Sequence, residues 1–387
     1  MYKGNYRKMN NPKILYIAPL QDLSGYANAA RGYVKALHLA GANLVTRHLK
    51  FDSGVFENDT IEQELATRDL KNVDVIIQHT TPDTASIKLG VKNILAFAWE
   101  TSRLPVHWAP IANQFDHIIA FCEQNRQCFI DSGIIKPITV VPHTFDIASY
   151  KNRKLLKITN YNNEFLFYNI CQFSNRKGVD KLLISYFTEF KKEDNVILLL
   201  KTYISSTNRK NETEKVRGFV DSIKKGLKLN YYPPVLINTE VLSDDDILDL
   251  HYTGDCFVSA STGEAWNICA FDAAATGNSV VATGWGGVCE FIRSISGWYD
   301  LVDYRLEPVY NAQHAHPTYY TGNELWAAVD IVKFGQAMRR VYEMRKDDRQ
   351  KLALGKENAR DFDYSIIGPK LLSVINNVCK SGDPNCQ

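Results

Sequence analysis

The chain has 387 residues, 45% of them hydrophobic and 23% charged, and its formal net charge is only +2. That length accommodates two domains with ordinary cores, and the near balance of charge excludes a dominant electrostatic pull toward nucleic acid or a membrane surface. No apolar run approaches the roughly 20 residues of a membrane span, and the basic start MYKGNYRKMNNPK lacks the apolar core of a secretory signal; no integral membrane segment and a cytoplasmic location are therefore expected.

Residues 1–12 read as a disordered tail. The first strand is KILYIAPL (13–20), followed by the helix SGYANAARGYVKALHLAG, which Gly41 stops. ANLVTRHLKF (42–51), VDVIIQHT (73–80) and KNILAFAW (92–99) read as strands. The last two are continuous apolar runs, as in a sheet covered on both faces. HIIAFC (117–122) and ITVVPH (138–143) complete the series, with a helix near 123–132 between them. Strand and helix alternate, which predicts a doubly wound α/β domain over 13–155.

The polar, basic stretch 147–163 marks a boundary. A second α/β domain is predicted over 156–355. Its strands are FLFYNICQF (165–173), NVILLLKTY (195–203), PPVLINT (233–239), CFVSAS (256–261) and SVVAT (279–283). Residues 284–323 are rich in Gly and aromatics and read as irregular. From Ala327 to about Val378 the pattern is helical, and 356–387 is set apart as a C-terminal helical segment.

The richest stretch runs from Asp255 to Phe291. It reads as strand, loop, helix, strand and Gly-rich loop. Glu264 precedes the helix and Asp272 follows eight positions later, so the two carboxylates lie about 12 Å apart along it. Between them are the backbone N–H groups of Asn267, Ile268 and Cys269 at a helix N-terminus, which attracts phosphate. Two hydroxyl-binding acids around a phosphate site suit a sugar, a diphosphate and a ribose in a row. Cations are placed to serve that diphosphate: Arg176 and Lys177 follow strand 165–173, and Lys201 ends the run VILLLK at a strand edge, where α/β sheets bind ligands. Trp266 is either a sugar-stacking ring or a core residue. The eight cysteines form no Cys-x-x-Cys pair and read as reduced core residues.

This stretch resembles the donor site of retaining GT-B glycosyltransferases, those of glycosyltransferase family 4 and its relatives. Glu264 matches their first acid. Gly277, the strand Val280 to Thr283, Gly286–Gly287 and Glu290 follow in order, while Asp272 replaces the usual second Glu. Arg176, Lys177 and Gly178 match the family's Arg-Lys-Gly, and Cys171 stands where many relatives carry an arginine. VPHTFD (141–146) matches the Val-Pro-x-Gly-Val-Asp segment near the hinge, with Thr144 for Gly. Trp99, Glu100 and Thr101, with the following Arg-Leu-Pro, resemble one subset.

The resemblance implies two Rossmann-like domains facing a cleft, with a C-terminal helix crossing back to the first domain. Glu264, Lys177 and Lys201 are the implied catalytic set. Gly25, Arg176, Trp266, Asn267, Ile268, Cys269 and Asp272 are the implied donor-binding set, and His79, Trp99, Glu100 and His143 the acceptor-side set. Arg103 is either an anion contact or the partner of Glu100. The implied co-substrate is a UDP- or GDP-linked sugar, with no further cofactor and no metal. The Asp-x-Asp in SDDDILDL (243–250) is the metal motif of the other main glycosyltransferase fold, but here it opens an apolar-periodic helix and reads as a cap. The implied acceptor is a glycan or glycolipid precursor. A hydroxylated nucleobase is the alternative, for which the basic stretches 151–157 and 201–210 speak. A non-catalytic nucleotide-sugar binding protein and a nucleotide-sugar epimerase stay open beside it.

Overall fold

The computed structural model describes residues 11–22, 24–50, 60–204, 210–295, 297–309, 318–350 and 359–381. The tail call therefore falls largely outside the described residues, as does the middle of the 201–210 basic stretch. The first sheet has six parallel strands, β1 (Lys13–Ala18), β2 (Asn43–His48), β3 (Val75–His79), β4 (Lys92–Ala96), β5 (His117–Ala120) and β6 (Ile138–Val140), in the order β2-β1-β3-β4-β5-β6. The chain runs outward from β1 in both directions, which opens a crevice at the carboxyl ends of β1 and β3. Helix α1 (Gly25–Leu39) follows β1. Ser24 caps it, its Oγ accepting from the Ala27 N–H, and Gly41 leaves the helix at φ +77°.

Helices α2 (Thr60–Thr67), α3 (Trp108–Ala112) and α4 (Glu123–Asp131) complete this half. The second sheet is also six-stranded and parallel. Its strands are β7 (Phe165–Gln172), β8 (Val196–Tyr203), β9 (Val235–Asn238), β10 (Cys256–Ser259), β11 (Ser279–Thr283) and β12 (Tyr299–Val302), in the order β12-β11-β10-β7-β8-β9. Direction reverses between β7 and β10, so the loops after those two strands open onto one crevice. Helices α5 (Val179–Glu189) and α6 (Glu212–Leu227) follow β7 and β8. Helix α7 (Asp244–Thr253) leads into β10, and α8 (Ile268–Ala275) leaves it. Ser243 caps α7, and its side chain and that of Asp246 bond reciprocally to each other's backbone N–H, closing a capping box. The SDDDILDL run is thus a helix start.

Two expectations need correction. The region 284–323 is not uniformly irregular: it contains α9 (Val288–Ile295), β12 and β13 (Tyr304–Pro308). Nor is the chain helical from Ala327, because β14 (Leu325–Val329) pairs antiparallel with β13 before α10 (Ile331–Arg345) begins. The short apolar run LWAAV carries no periodicity that separates strand from helix. The last helix, α11 (Tyr364–Lys380), buries Ile367, Leu371, Ile375 and Val378 in the core of the first domain beside Tyr16, Val34 and Leu37. At Gly368 a Cβ would collide with the Ala36 carbonyl oxygen, so the glycine lets α11 lie directly on α1.

The domains also meet through the hairpin. Tyr320 stacks on Trp99 at 5.6 Å and 22°, and Tyr319 meets Trp108 edge-on at 5.3 Å. Trp326 and Val309 complete this aromatic seam. The Ser102 N–H donates to the Leu325 carbonyl at 2.8 Å, and the Leu325 N–H donates back to Ser102 Oγ at 2.9 Å. No helix among the described residues is long and apolar enough to cross a membrane.

Candidate active site in the interdomain cleft

The turn after β7 carries the cations. Asn175–Lys177 form one 3-10 turn, and Gly178 reverses the chain at φ +61° before α5. A Cβ on Gly178 would strike the Ala260 carbonyl oxygen, so glycine is required for both conformation and space. The turn is stapled from below: the Thr262 N–H donates to the Arg176 carbonyl at 2.8 Å, and Ser261 Oγ donates to the same oxygen at 3.1 Å. Both side chains then reach Glu264. Lys177 Nζ is 2.5 Å from Oε1, and Arg176 Nη1 is 3.3 Å from Oε2.

The Gly286–Gly287 pair explains how Glu264 is held. A Cβ on Gly286 would strike the Glu264 carbonyl oxygen, and one on Gly287 would strike that of Ala265. The Gly287 N–H donates to the Glu264 carbonyl at 2.8 Å. The glycines thus pass under the acid and fix its backbone. Burial pushes the Glu264 carboxyl up, but Lys177 and Arg176 outweigh that and hold it below the ordinary range. It is an anion at neutral pH, a hydroxyl acceptor between two cations.

The first domain closes the cluster. Gly263 approaches the Glu100 carbonyl so closely that no Cβ fits between them. The Glu100 carboxylate takes Arg176 Nε at 3.2 Å and accepts from Tyr320 Oη at 3.1 Å. Burial opposes charge on Arg176, yet Glu100 and Glu264 together raise its pKa. Arg176 therefore bridges one acid from each domain. Arg103, the other partner considered for Glu100, is exposed.

Two helix N-termini lie close together beside this cluster. A Cβ on Gly25, the first residue of α1, would lie 4.0 Å from Ile268 Cδ1, at the first residue of α8. Asn267 caps α8 from φ +73°, a conformation asparagine tolerates, and its side chain accepts from the Ala270 N–H. Ala270 and Phe271 donate to the Asn267 carbonyl, which leaves the N–H groups of Ile268 and Cys269 at the open end. Each N-terminus carries the positive end of a helix dipole, and a site close to both favours an anion. Cys269 itself is half-buried, and desolvation raises the pKa of its thiol.

Lys201 lies within β8, which runs on to Tyr203, so it does not end its strand as expected. By the two-residue period it shares a face with Ile197 and Leu199, the face covered by α8, and it is buried. Cys171, on β7, is half-buried, and desolvation pushes its thiol up to about 11.

Four predicted site residues turn inward. His79 is fully buried with Nδ1 2.7 Å from Tyr16 Oη, ringed by Tyr26, Tyr33 and Phe121. Burial holds its pKa far down, and His143 is pushed to about 3 by the same cause. His143 packs on Phe121 and on Trp266. Trp266 is core, against Phe291 and Phe362, rather than a sugar-stacking ring. Trp99 is buried, β4 ends at Ala96 rather than at Trp99, and its Nε1 donates to Thr101 Oγ1 at 2.7 Å and to the Arg103 carbonyl. Uncharged rings fill the floor here, while the charged Glu100 beside Trp99 keeps to the cleft.

Asp272 is on α8, buried, and accepts from Tyr150 Oη at 2.5 Å. Tyr150 closes the 3-10 turn Ile147–Tyr150 in the segment joining the domains. Burial pushes the Asp272 carboxyl up to about 7, partly offset by Tyr150. Sequence reasoning missed Tyr150, Tyr320 and Ser24. Only Ser24 had a local signal, a cap residue just before an amphipathic helix.

No family model matches the chain, and no curated protein sequence matches it. Solved structures do match. The Anabaena protein HepE, in complex with UDP-glucose, aligns with a TM-score of 0.61 at 14% identity, over 94% of this chain and 99% of its own. A glycosyltransferase from Rickettsia africae gives 0.62 at 15% identity, over 96% and 99%. A UDP-forming α,α-trehalose-phosphate synthase from Burkholderia xenovorans gives 0.62 at 12% identity, over 95% and 99%. At such identities the likeness establishes architecture: two Rossmann-like domains about a cleft, the GT-B fold.

Proposed function

We propose that the chain is a nucleotide-sugar-dependent glycosyltransferase. It moves a sugar from a nucleoside diphosphate donor to an acceptor hydroxyl with retained anomeric configuration, in the manner of family 4. The observation that carries this reading is the close pair of helix N-termini at Gly25 and Ile268, beside the Lys177–Glu264 pair. A diphosphate close to both meets backbone N–H groups from both domains. When the anomeric C–O bond breaks, negative charge grows on the departing phosphate, and Lys177, Arg176 and both dipoles face it. Glu264, held anionic, accepts from sugar hydroxyls. The leaving phosphate takes the acceptor proton on the same face of the sugar, so no protein nucleophile is needed. The domain seam excludes water from the donor.

UDP is the favoured nucleotide, because HepE is bound to UDP-glucose and the Burkholderia synthase is named as UDP-forming. A glycan or glycolipid precursor is favoured over a hydroxylated base in DNA. Within the stretch 151–157, Arg153 is already paired with Asp245 at 2.8 Å and Asp249 at 3.6 Å, and so is not presented to a phosphate backbone. The test is donor turnover followed by proton NMR. UDP-sugars should release UDP, and the first free or transferred sugar should keep the donor's anomeric configuration. Turnover should persist with a divalent-ion chelator present. An inverted first product would overturn the retaining assignment.

A further inference from the structure

A pocket of about 210 Å³ lies behind the cation turn, between the start of α5, α6 and the β13–β14 hairpin. It is smaller than the roughly 300–1,000 Å³ of sites for drug-sized ligands, so it suits one ring rather than a whole nucleotide sugar. We propose that it is a second carbohydrate site, one that holds a single neutral pyranose ring. This inference is independent of the transferase reading, because none of the catalytic or donor residues lines the pocket.

Its chemistry is that of sugar recognition. Phe173 and Phe219 meet edge to face at 5.1 Å and give an apolar wall for ring C–H groups. Asp180 and Glu307 bring carboxylate acceptors for hydroxyls, and Asn175 and Lys181 bring donors. Lys181 lies 3.6 Å from Asp180, and Glu307 lies 3.8 Å from Arg305. Trp326 is 5% exposed, lines the pocket, and has a buried Nε1 with no hydrogen-bond partner. An indole N–H is donor-only, and leaving it unmet in the interior is unfavourable. The Trp326 ring forms part of the pocket wall, so its surroundings change when a ring fills the space. Two carboxylates against one lysine disfavour phosphate, and the donors on Ser174, Asn175 and Lys181 disfavour a simple cation.

The hairpin links this pocket to the domain seam. Trp326 pairs with Glu307 across β13–β14 and packs in the cluster that contains Trp99 and Tyr320. A ring in the pocket thus touches one side of the cation turn and the strand that carries the seam.

The test is fluorine NMR on full-length protein carrying 5-fluorotryptophan, which gives six signals, one per tryptophan. The Trp326 signal is assigned by its loss in Trp326→Phe. Methyl pyranosides and short oligosaccharides are titrated to roughly 10 mM, enough to load a millimolar site, with inorganic phosphate and an alkylamine as comparison probes. The expected result is a saturable Trp326 shift with at least one neutral sugar. It should weaken at least about tenfold in Phe219→Ala and in Glu307→Gln, and stay unchanged in Lys177→Ala. Glu307→Gln removes only a charge on a partly exposed strand, and keeps the test valid if Phe219→Ala fails to fold. No shift with any sugar, a shift with the amine or phosphate alone, or a shift that disappears in Lys177→Ala would each overturn the proposal.

Discussion

Replacing Asp272 with Asn tests how the donor helix is held. The Asp272 carboxyl titrates near 3.8 when unperturbed and is pushed to about 7 in the fold, chiefly by burial. The folded protein therefore keeps a proton that the unfolded chain loses between those values. The associated stability is fully present below about pH 4 and is lost as pH rises through about 7. Three units at about 1.4 kcal/mol each amount to roughly 4 kcal/mol by pH 8. Asparagine keeps an acceptor for Tyr150 Oη but carries no ionisable group. Asp272→Asn should match the parent near pH 4 and exceed it by up to about 4 kcal/mol at pH 8. His251, with Nε2 3.9 Å from the carboxylate, Asp244, whose charge acts on it, and the Tyr168 and Cys269 side chains are further ionisable neighbours. Urea unfolding followed at a series of pH values reads the difference directly. Parallel pH profiles for the two proteins would refute the reasoning and place Asp272 as an ordinary ionised carboxylate.

Gly178→Ala should lower the melting temperature and weaken nucleotide binding together, since the new Cβ meets the Ala260 carbonyl and shifts the turn that carries Lys177; loss of neither would contradict the required left-handed turn. Ser243→Ala should cost about 1 kcal/mol in urea unfolding through loss of the α7 cap, while donor turnover stays at the parent level. Glu100→Gln breaks the cross-domain contact to Arg176. It should increase the radius of gyration in solution scattering by favouring an opened cleft, and an unchanged value would show that the aromatic seam alone closes the domains.

The apolar strands were legible because parallel strands buried on both faces read as uninterrupted runs, as VDVIIQ and VILLL do. The cation turn was legible because Arg176, Lys177 and Gly178 directly follow an apolar strand and match the family's Arg-Lys-Gly. What depended on docking was not. Arg176 joins Glu100 only because Gly263 admits the opposing backbone, and no spacing between distant positions announces that. His79, His143 and Trp99 were placed at the cleft, and Trp266 was left between a sugar-stacking ring and core, because they stand near element ends, where one step of the chain decides between cleft and core. There the aromatic filling of the floor decided for the core. Likewise Asp272 lies on the helix where it was expected, but the linker's Tyr150 determines its hydrogen bonding.

Thermal stabilisation by UDP, GDP and their sugars, measured on the parent and on Lys177→Ala, tests the central claim most directly. A nucleotide at one hundred times its Kd should stabilise the folded state by about 2.7 kcal/mol, with one nucleotide preferred and the effect lost in the variant. Equal stabilisation of both proteins, or none by any nucleotide, would contradict a donor site at the paired helix N-termini.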